Sequence, residues 1–179
     1  MSQRDLGQGD DLADRMRALR AGLDDGFARP RDHVLPEITE LLAIRIGDDP
    51  YALYLSEIQA LLVDRPITRL PTPVRDLLGL CSVRGAIAPV YDLAAFVGRA
   101  LEPRAAPRWL VLARHREPVA LAFDGLEGQT QVATAAIASP AANSGSDSTV
   151  LVRGVVRPLI RLASVLDAIE QRVRPLREP

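Results

Sequence analysis

Residues 81–93 read CSVRGAIAPVYDL. Two apolar runs meet at Arg84-Gly85, and the second ends in Pro89-Val90-Tyr91-Asp92-Leu93. Two short apolar runs flanking a glycine-bearing dipeptide predict a β-hairpin, with Gly85 supplying the positive φ of a tight turn. Such a turn asks only for Gly, Asn or Asp, and Arg84 adds nothing to it. An arginine between apolar edges also has the composition of an interface anchor. Asp92, placed before LAAFV (93–97) and Gly98, predicts a capped short helix directly after the hairpin.

Working outward, a period of two recurs on both sides. Leu42, Ile44 and Ile46 alternate with Ala43 and Arg45, GDDP (47–50) is a turn, and Tyr51, Leu53 and Leu55 alternate again. ALLVDR (60–65) and ITRL (67–70) read as extended. Thr72-Pro73 has the form of an N-cap with proline in the first helical position, so PVRDLLG (73–79) reads as a short helix. RWLVLAR (108–114) and PVALAF (118–123) read as paired strands about a turn at HRE (115–117). DGLEGQTQV (124–132) follows, with Asp124-Gly125 as a turn. The small and polar residues 133–149 read as a mobile loop. VLVRGVVR (150–157) and LIRL (159–162) are strand-like, and Ser164 is expected to cap a final helix that turns Val165, Leu166, Ile169 and Val173 one way. No strong internal repeat is expected. Many short strands, short corner helices and one terminal helix favour small β-barrels over a sandwich or a βαβ sheet.

Residues 1–37 differ. Leu12, Met16, Leu19, Leu23 and Phe27 form one stripe of an amphipathic helix, and ARPRDHVLPE (28–37) reads as a linker broken by Pro30 and Pro36. The expected organisation is therefore a leader over 1–37, a β domain over 38–174 and a short tail over 175–179.

Composition removes several functions. The formal net charge is −1 and aromatics make up 4%, which argues against nucleic-acid binding and against a general affinity for anionic lipid. All 22 basic residues are arginine. Cys81 is the single cysteine, so no internal disulfide is possible and a reducing, cytoplasmic setting is expected. The N-terminal residues MSQRDLGQGDDLADRMR lack the apolar core of a signal peptide, and no run approaches the roughly 20 apolar residues of a membrane helix, so no direct membrane insertion is expected. Only His33 and His115 are available as imidazole bases, there is no GxSxG, Walker A or GxGxxG pattern, and soft metal ligands are too few for a zinc site. Cys81 sits in an apolar run and reads as a small core residue. No enzyme activity, cofactor or metal is expected.

GLCSVRGAIAPVYDL (79–93) resembles the hallmark stretch of CheW-like coupling domains, approximately G-V-x-N-L-R-G-x-x-x-P-V-x-D-L; Gly79, Arg84, Gly85, Pro89, Val90, Asp92 and Leu93 fit it. IGDDPYALYLSEIQALL, ITRLP, PVALAFDGLEG and VRGVVRPLIRLASVLDAI are similar to further family segments in the same order, over about residues 40–172. The sequence departs from the pattern at Ser82 (usually Asn), Val83 (usually Leu) and Ala60 (commonly acidic). The resemblance implies an all-β fold of two five-stranded SH3-like barrels sharing a core, with short corner helices and a C-terminal helix, to which the leader adds an N-terminal amphipathic helix.

The function it implies is non-catalytic. Family members couple the cytoplasmic tip of a methyl-accepting chemoreceptor to the regulatory domain of a CheA-type histidine kinase, in flagellar, pilus or gliding pathways. By carry-over, Ile58, Arg84 and Ile87 match a receptor-binding groove, while Gly85 and Asp92 are structural turn residues. The alternative left open by Ala60 and Ser82 is a scaffold of the same fold that binds kinase or receptor, but not both.

Overall fold

The computed structural model describes residues 36–99, 107–138 and 148–173, which lie in a compact unit beginning at Pro36. The expected helix over 12–27, residues 139–147 of the expected loop and the 175–179 tail fall outside the described residues.

The strands are β1 (Ile38–Ile46), β2 (Asp49–Tyr54), β3 (Ile58–Val63), β4 (Leu77–Val83), β5 (Ala86–Asp92), β6 (Trp109–Ala113), β7 (Ala120–Phe123), β8 (Gly125–Ala133), β9 (Ile137–Ala138), β10 (Thr149–Val152) and β11 (Val155–Ile160), followed by helix α1 (Leu162–Val173). Single 3-10 turns occupy the corners at Leu55–Glu57, Leu93–Phe96 and Thr134–Ala136. The strands form two sheets, in the orders β8-β1-β2-β11-β10-β9 and β3-β6-β7-β5-β4. These are the two expected SH3-like barrels. The first counts six strands rather than five because the two-residue β9 adds to its edge.

Burial explains why the sequence alternates in some strands and runs apolar in others. The first lobe closes on Leu41, Ala52, Val150, Val152 and Leu159. The second closes on residues that include Cys81, Ala88, Val90, Leu110, Leu112, Ala120 and Ala122. A third core, between the lobes and under α1, takes Leu42, Ile44, Leu53, Val111, Leu121, Phe123 and Leu166 among others. Strand β6 therefore sends Leu110 and Leu112 into its own barrel and Val111 and Ala113 into the shared core. Strand β7 divides Ala120 and Ala122 from Leu121 and Phe123 in the same way. A strand buried on both faces reads as a continuous apolar run. Strand β8, with one wet face, keeps its alternation from Leu126 onward.

Three local expectations are corrected. PVRDLLG is not a helix: Thr72 Oγ1 accepts from Val74 N at 3.1 Å, residues 75–76 turn, and Leu77 begins β4. The hydroxyl stabilises a local turn, and pairing with β5 overrides the helix signal. Ser164 does not cap the last helix, which starts two residues earlier; the Glu57 carboxylate accepts from Leu162 N at 2.6 Å, so the cap comes from the 3-10 turn before β3. Within the expected mobile loop, residues 133–138 are ordered: β8 ends at Ala133, a 3-10 turn follows, and β9 pairs with β10.

An internal repeat, which the sequence was not expected to contain, is also present. SVRGAIAPVYDL (82–93) and LVRGVVRPLIRL (151–162) share Val-Arg-Gly, a proline four residues after the glycine, and a closing leucine. Both are hairpins, β4–β5 and β10–β11. Their turns match: Arg84 and Arg153 have φ of 50° and 51°, and Gly85 and Gly154 have 85° and 81°. Each second strand then pairs in parallel with a neighbour, β5 with β7 and β11 with β2, and each leads into a helical turn. The two hairpins share a backbone plan while most of their side chains differ, which is why the repeat is faint in the sequence.

Candidate functional site

The β4–β5 hairpin carries the residues singled out from the sequence. Positive φ at both Arg84 and Gly85 is the signature of a two-residue type I′ turn, whose twist matches that of the strands. The turn places Arg84 in solvent. Ile87, opposite Ser82 across the hairpin, is 68% exposed. An isoleucine this exposed, three residues from a solvent-facing arginine, forms an apolar and cationic surface of the kind that proteins use as anchors.

Ile58 lies elsewhere. It opens β3, pairs with Ala113 and is buried in the shared core. The hairpin thus brings Arg84 and Ile87 together, while Ile58 packs beneath the surface. Asp92 is buried, and its Oδ1 accepts from Ala94 N at 3.0 Å, which caps the 3-10 turn as expected.

Gly79 is fixed by contact. It has φ of 146° and lies at a β4 bulge, and a Cβ there would fall 2.2 Å from the Thr68 carbonyl oxygen. The crossover from β3 to β4 is laid directly on the β4 backbone at this point. Two hydrogen bonds hold it there, Thr68 N to Leu80 O at 2.8 Å and Leu80 N to Thr68 O at 2.9 Å.

Cys81 is buried inside the second barrel; burial pushes its thiol up, and Arg65 pulls it down by less. A thiol held protonated in an apolar interior is a poor nucleophile. His115 belongs to a cavity of about 550 Å³ between α1 and β5, lined by Tyr91, Glu117, Leu166 and Glu170 among others. Its Nε2 is 4.0 Å from Glu170 Oε1, and His115 also lines a second cavity of about 240 Å³ together with Ser56 and Glu57. Among the described residues no group of three or more His, Cys, Asp or Glu side chains is placed to hold a metal ion. No described helix is long and apolar enough to cross a membrane.

Two ionic features escaped the sequence reading. Arg157 is 5% exposed inside the first lobe, where it pairs with Glu127 of β8. Its repeat partner in the second lobe is Ala88, so the repeat is the one sequence signal that points to its burial. Asp124, read as a turn residue, also accepts from Gly47 N at 2.6 Å and so braces the β1–β2 turn.

Comparison with known proteins agrees with the geometry. The chain is 32% identical to the "Probable chemotaxis protein CheW" of Rhizobium etli over 88 residues, which cover 49% of this chain and 57% of that protein. It is 27% identical to the "Chemotaxis protein CheW" of Rhizobium meliloti over 139 residues, or 74% of this chain and 90% of that one. The crystal structure of the scaffolding protein TtCheW from Thermoanaerobacter tengcongensis superposes with a TM-score of 0.60 at 16% identity, covering 68% of this chain and 88% of that one. At that identity the match speaks for the fold, and it agrees with the two-barrel architecture. The family model of the CheW-like domain matches residues 40–172, from within β1 to the last turn of α1. With both barrels, the hairpin motif and the capping helix inside one continuous match, the chain belongs to the CheW-like domain family.

Proposed function

We propose that this protein is a non-catalytic, cytoplasmic adaptor that couples the tip of a chemoreceptor to the regulatory domain of a CheA-type histidine kinase. The observation that carries this reading is the β4–β5 hairpin, a family motif that displays Arg84 on a positive-φ turn beside the exposed Ile87. Apolar burial at Ile87 would supply contact area, and the Arg84 guanidinium would fix orientation through forked hydrogen bonds. Ile58 is buried in the shared core and is not part of this displayed surface. Signalling then needs no chemistry in this chain. A bound receptor shifts the kinase between two arrangements through the two-barrel body.

The test is calorimetry against an isolated kinase regulatory domain and, separately, a receptor-tip fragment. Wild type is expected to bind both, and Arg84→Ala to lose the receptor fragment while melting as wild type. Arg153→Ala, at the equivalent turn of the other lobe, serves as the internal control and is expected to keep receptor binding. Binding of only one partner by wild type would reduce the role to a single-partner scaffold, and binding of neither would remove it.

A further inference from the structure

We propose that the crossover between β3 and β4 forms, with the β4–β5 turn, a basic rim that docks an acidic, amphipathic protein segment. The rim consists of Arg65, Arg69, Arg75 and Arg84. It extends the surface around Arg84 and rests on the adaptor reading only for the identity of the natural partner.

Four observations converge. The crossover, residues 64–76, is held on β4 by the paired Thr68–Leu80 hydrogen bonds and by the missing Cβ of Gly79. Arg65 and Arg69 therefore flank the bridge, Arg65 on the side nearer the β4–β5 turn. The antiparallel Thr68–Leu80 bridge runs Arg65 toward the second half of β4. Arg75 lies just before the start of β4 and Arg84 just after its end. Seven strand residues span about 23 Å, the length of roughly 15 helical residues.

The charges along this line are not balanced from within. The crossover contains Asp64 and Asp76, but each is taken by an arginine from outside it. Asp64 pairs with Arg108 at 3.5 Å, and Asp76 pairs with Arg172 of α1. Among the described residues Arg65, Arg69, Arg75 and Arg84 have no ion-pair partner, and all four are exposed. In a chain of net charge −1 this is a local concentration of positive charge rather than a general property. Apolar side chains accompany it: Leu70 is 41% exposed and Ile87 68%. Guanidinium groups with interspersed aliphatic surface match carboxylates and leucine-type side chains on one segment. A nucleic acid would call instead for aromatic platforms, and the segment 64–76 and the β4–β5 hairpin up to Val90 contain none.

The test uses the full chain and four probes: a synthetic helical peptide with glutamates and leucines on one face, a receptor-tip fragment, phosphatidylserine vesicles and a DNA duplex. Wild type is expected to bind the peptide, and to bind it severalfold more weakly as salt rises from about 0.05 to about 0.3 M. The triple variant Arg65→Gln, Arg69→Gln, Arg75→Gln, which keeps Arg84, is expected to weaken it about tenfold. The corresponding triple lysine variant should recover most of that loss, which separates charge from folding. Salt-independent peptide binding, no peptide binding, or an unchanged triple variant would overturn the proposal. Vesicles or duplex binding as tightly as the peptide would overturn the partner class. If the receptor fragment binds in an Arg84-dependent way while the peptide fails, the adaptor reading stands and the rim falls. If the peptide behaves as expected while neither receptor nor kinase domain binds, the rim stands and the adaptor reading falls.

Discussion

Substituting Arg157 separates two ideas about the interior of the first lobe. The residue is 5% exposed, and Ala88, at the same place in the other lobe's hairpin, is fully buried. Its Nη2 donates to Glu127, and its Nη1 makes long contacts with the carbonyls of Ile44 at 3.4 Å and Tyr51 at 3.5 Å. Its Nε is buried with no partner among the described residues. Arg45 also approaches Glu127, at 3.7 Å. The guanidinium is thus desolvated, paired once with good contact, and only partly compensated elsewhere. Deleting one partner of a buried ion pair commonly costs about 3–5 kcal/mol. The Glu127 side chain is 34% exposed and keeps Arg45 nearby, so the carboxylate left behind is not stranded in a dry interior. A smaller loss of about 2–3 kcal/mol, at or below the bottom of that range, is therefore expected for Arg157→Ala, most of it from the lost side-chain volume.

Arg157→Met is the informative variant. It fills similar space, removes the charge and abolishes the unsatisfied Nε. If desolvation nearly cancels the pairing energy, this variant should lie within about 1 kcal/mol of wild type, or above it. By differential scanning calorimetry, the alanine variant should then melt lower by about 4–10 °C and the methionine variant should fall within about 4 °C of wild type. Equal losses in the two variants would refute the reasoning, because the ion pair itself would then be the stabilising element. Two silent variants would refute it differently, since the guanidinium would have to be hydrated.

Other perturbations follow from the same geometry. Gly79→Ala must place a Cβ against the Thr68 carbonyl at a φ of 146°, and a loss of at least about 3 kcal/mol is expected by urea titration; a loss below about 1 kcal/mol would show that the crossover is free to move away. Arg84→Asn suits the left-handed turn better than arginine, so stability should rise by about 0.5–1 kcal/mol while receptor binding falls, and a variant that gains both would show that the arginine is only a turn residue. Burial raises the Cys81 thiol above its ordinary value of 9.0. The unfolded chain therefore ionises first, and the stability this group contributes is full below that value and is lost as pH climbs above it. Cys81→Ala should flatten that alkaline decline, and an identical decline in the variant would assign it to other groups.

The β4–β5 hairpin, the Asp92 cap and the closing helix face were legible because each is specified locally, by a turn dipeptide, a side-chain oxygen or a helical period. The strand Leu77–Val83 was misread because its evidence is not local. Thr72-Pro73 looks like a helix start, and only pairing with β5 and the crossover above Gly79 shows otherwise. The cap of α1 was invisible for the same reason, since Glu57 is 105 residues away from Leu162. At the candidate site, Arg84 and Ile87 were found by resemblance and prove to be exposed, whereas the position of Ile58 depends on how two barrels meet. That is a property of packing between lobes rather than of any window of sequence.

The repeat constrains where recognition can reside. Both lobes display a Val-Arg-Gly turn with the same backbone angles, and both expose an aliphatic residue three positions after the arginine, Ile87 at 68% and Val156 at 62%. A displayed arginine next to an exposed aliphatic side chain therefore does not by itself distinguish one hairpin from the other. What differs is the setting. The β4–β5 turn adjoins a crossover with Arg65 and Arg69 on either side of the Thr68 bridge and with Gly79 letting the backbones touch. The β10–β11 turn instead carries Leu151 at 62% exposure and Val155 at 41%, a more apolar surface around the same arginine. One hairpin is thus set in a cationic surround and the other in an aliphatic one. Two hairpins that share a turn but differ in their surroundings thus present surfaces of different chemistry on one compact unit, which lets each select a partner the other would reject.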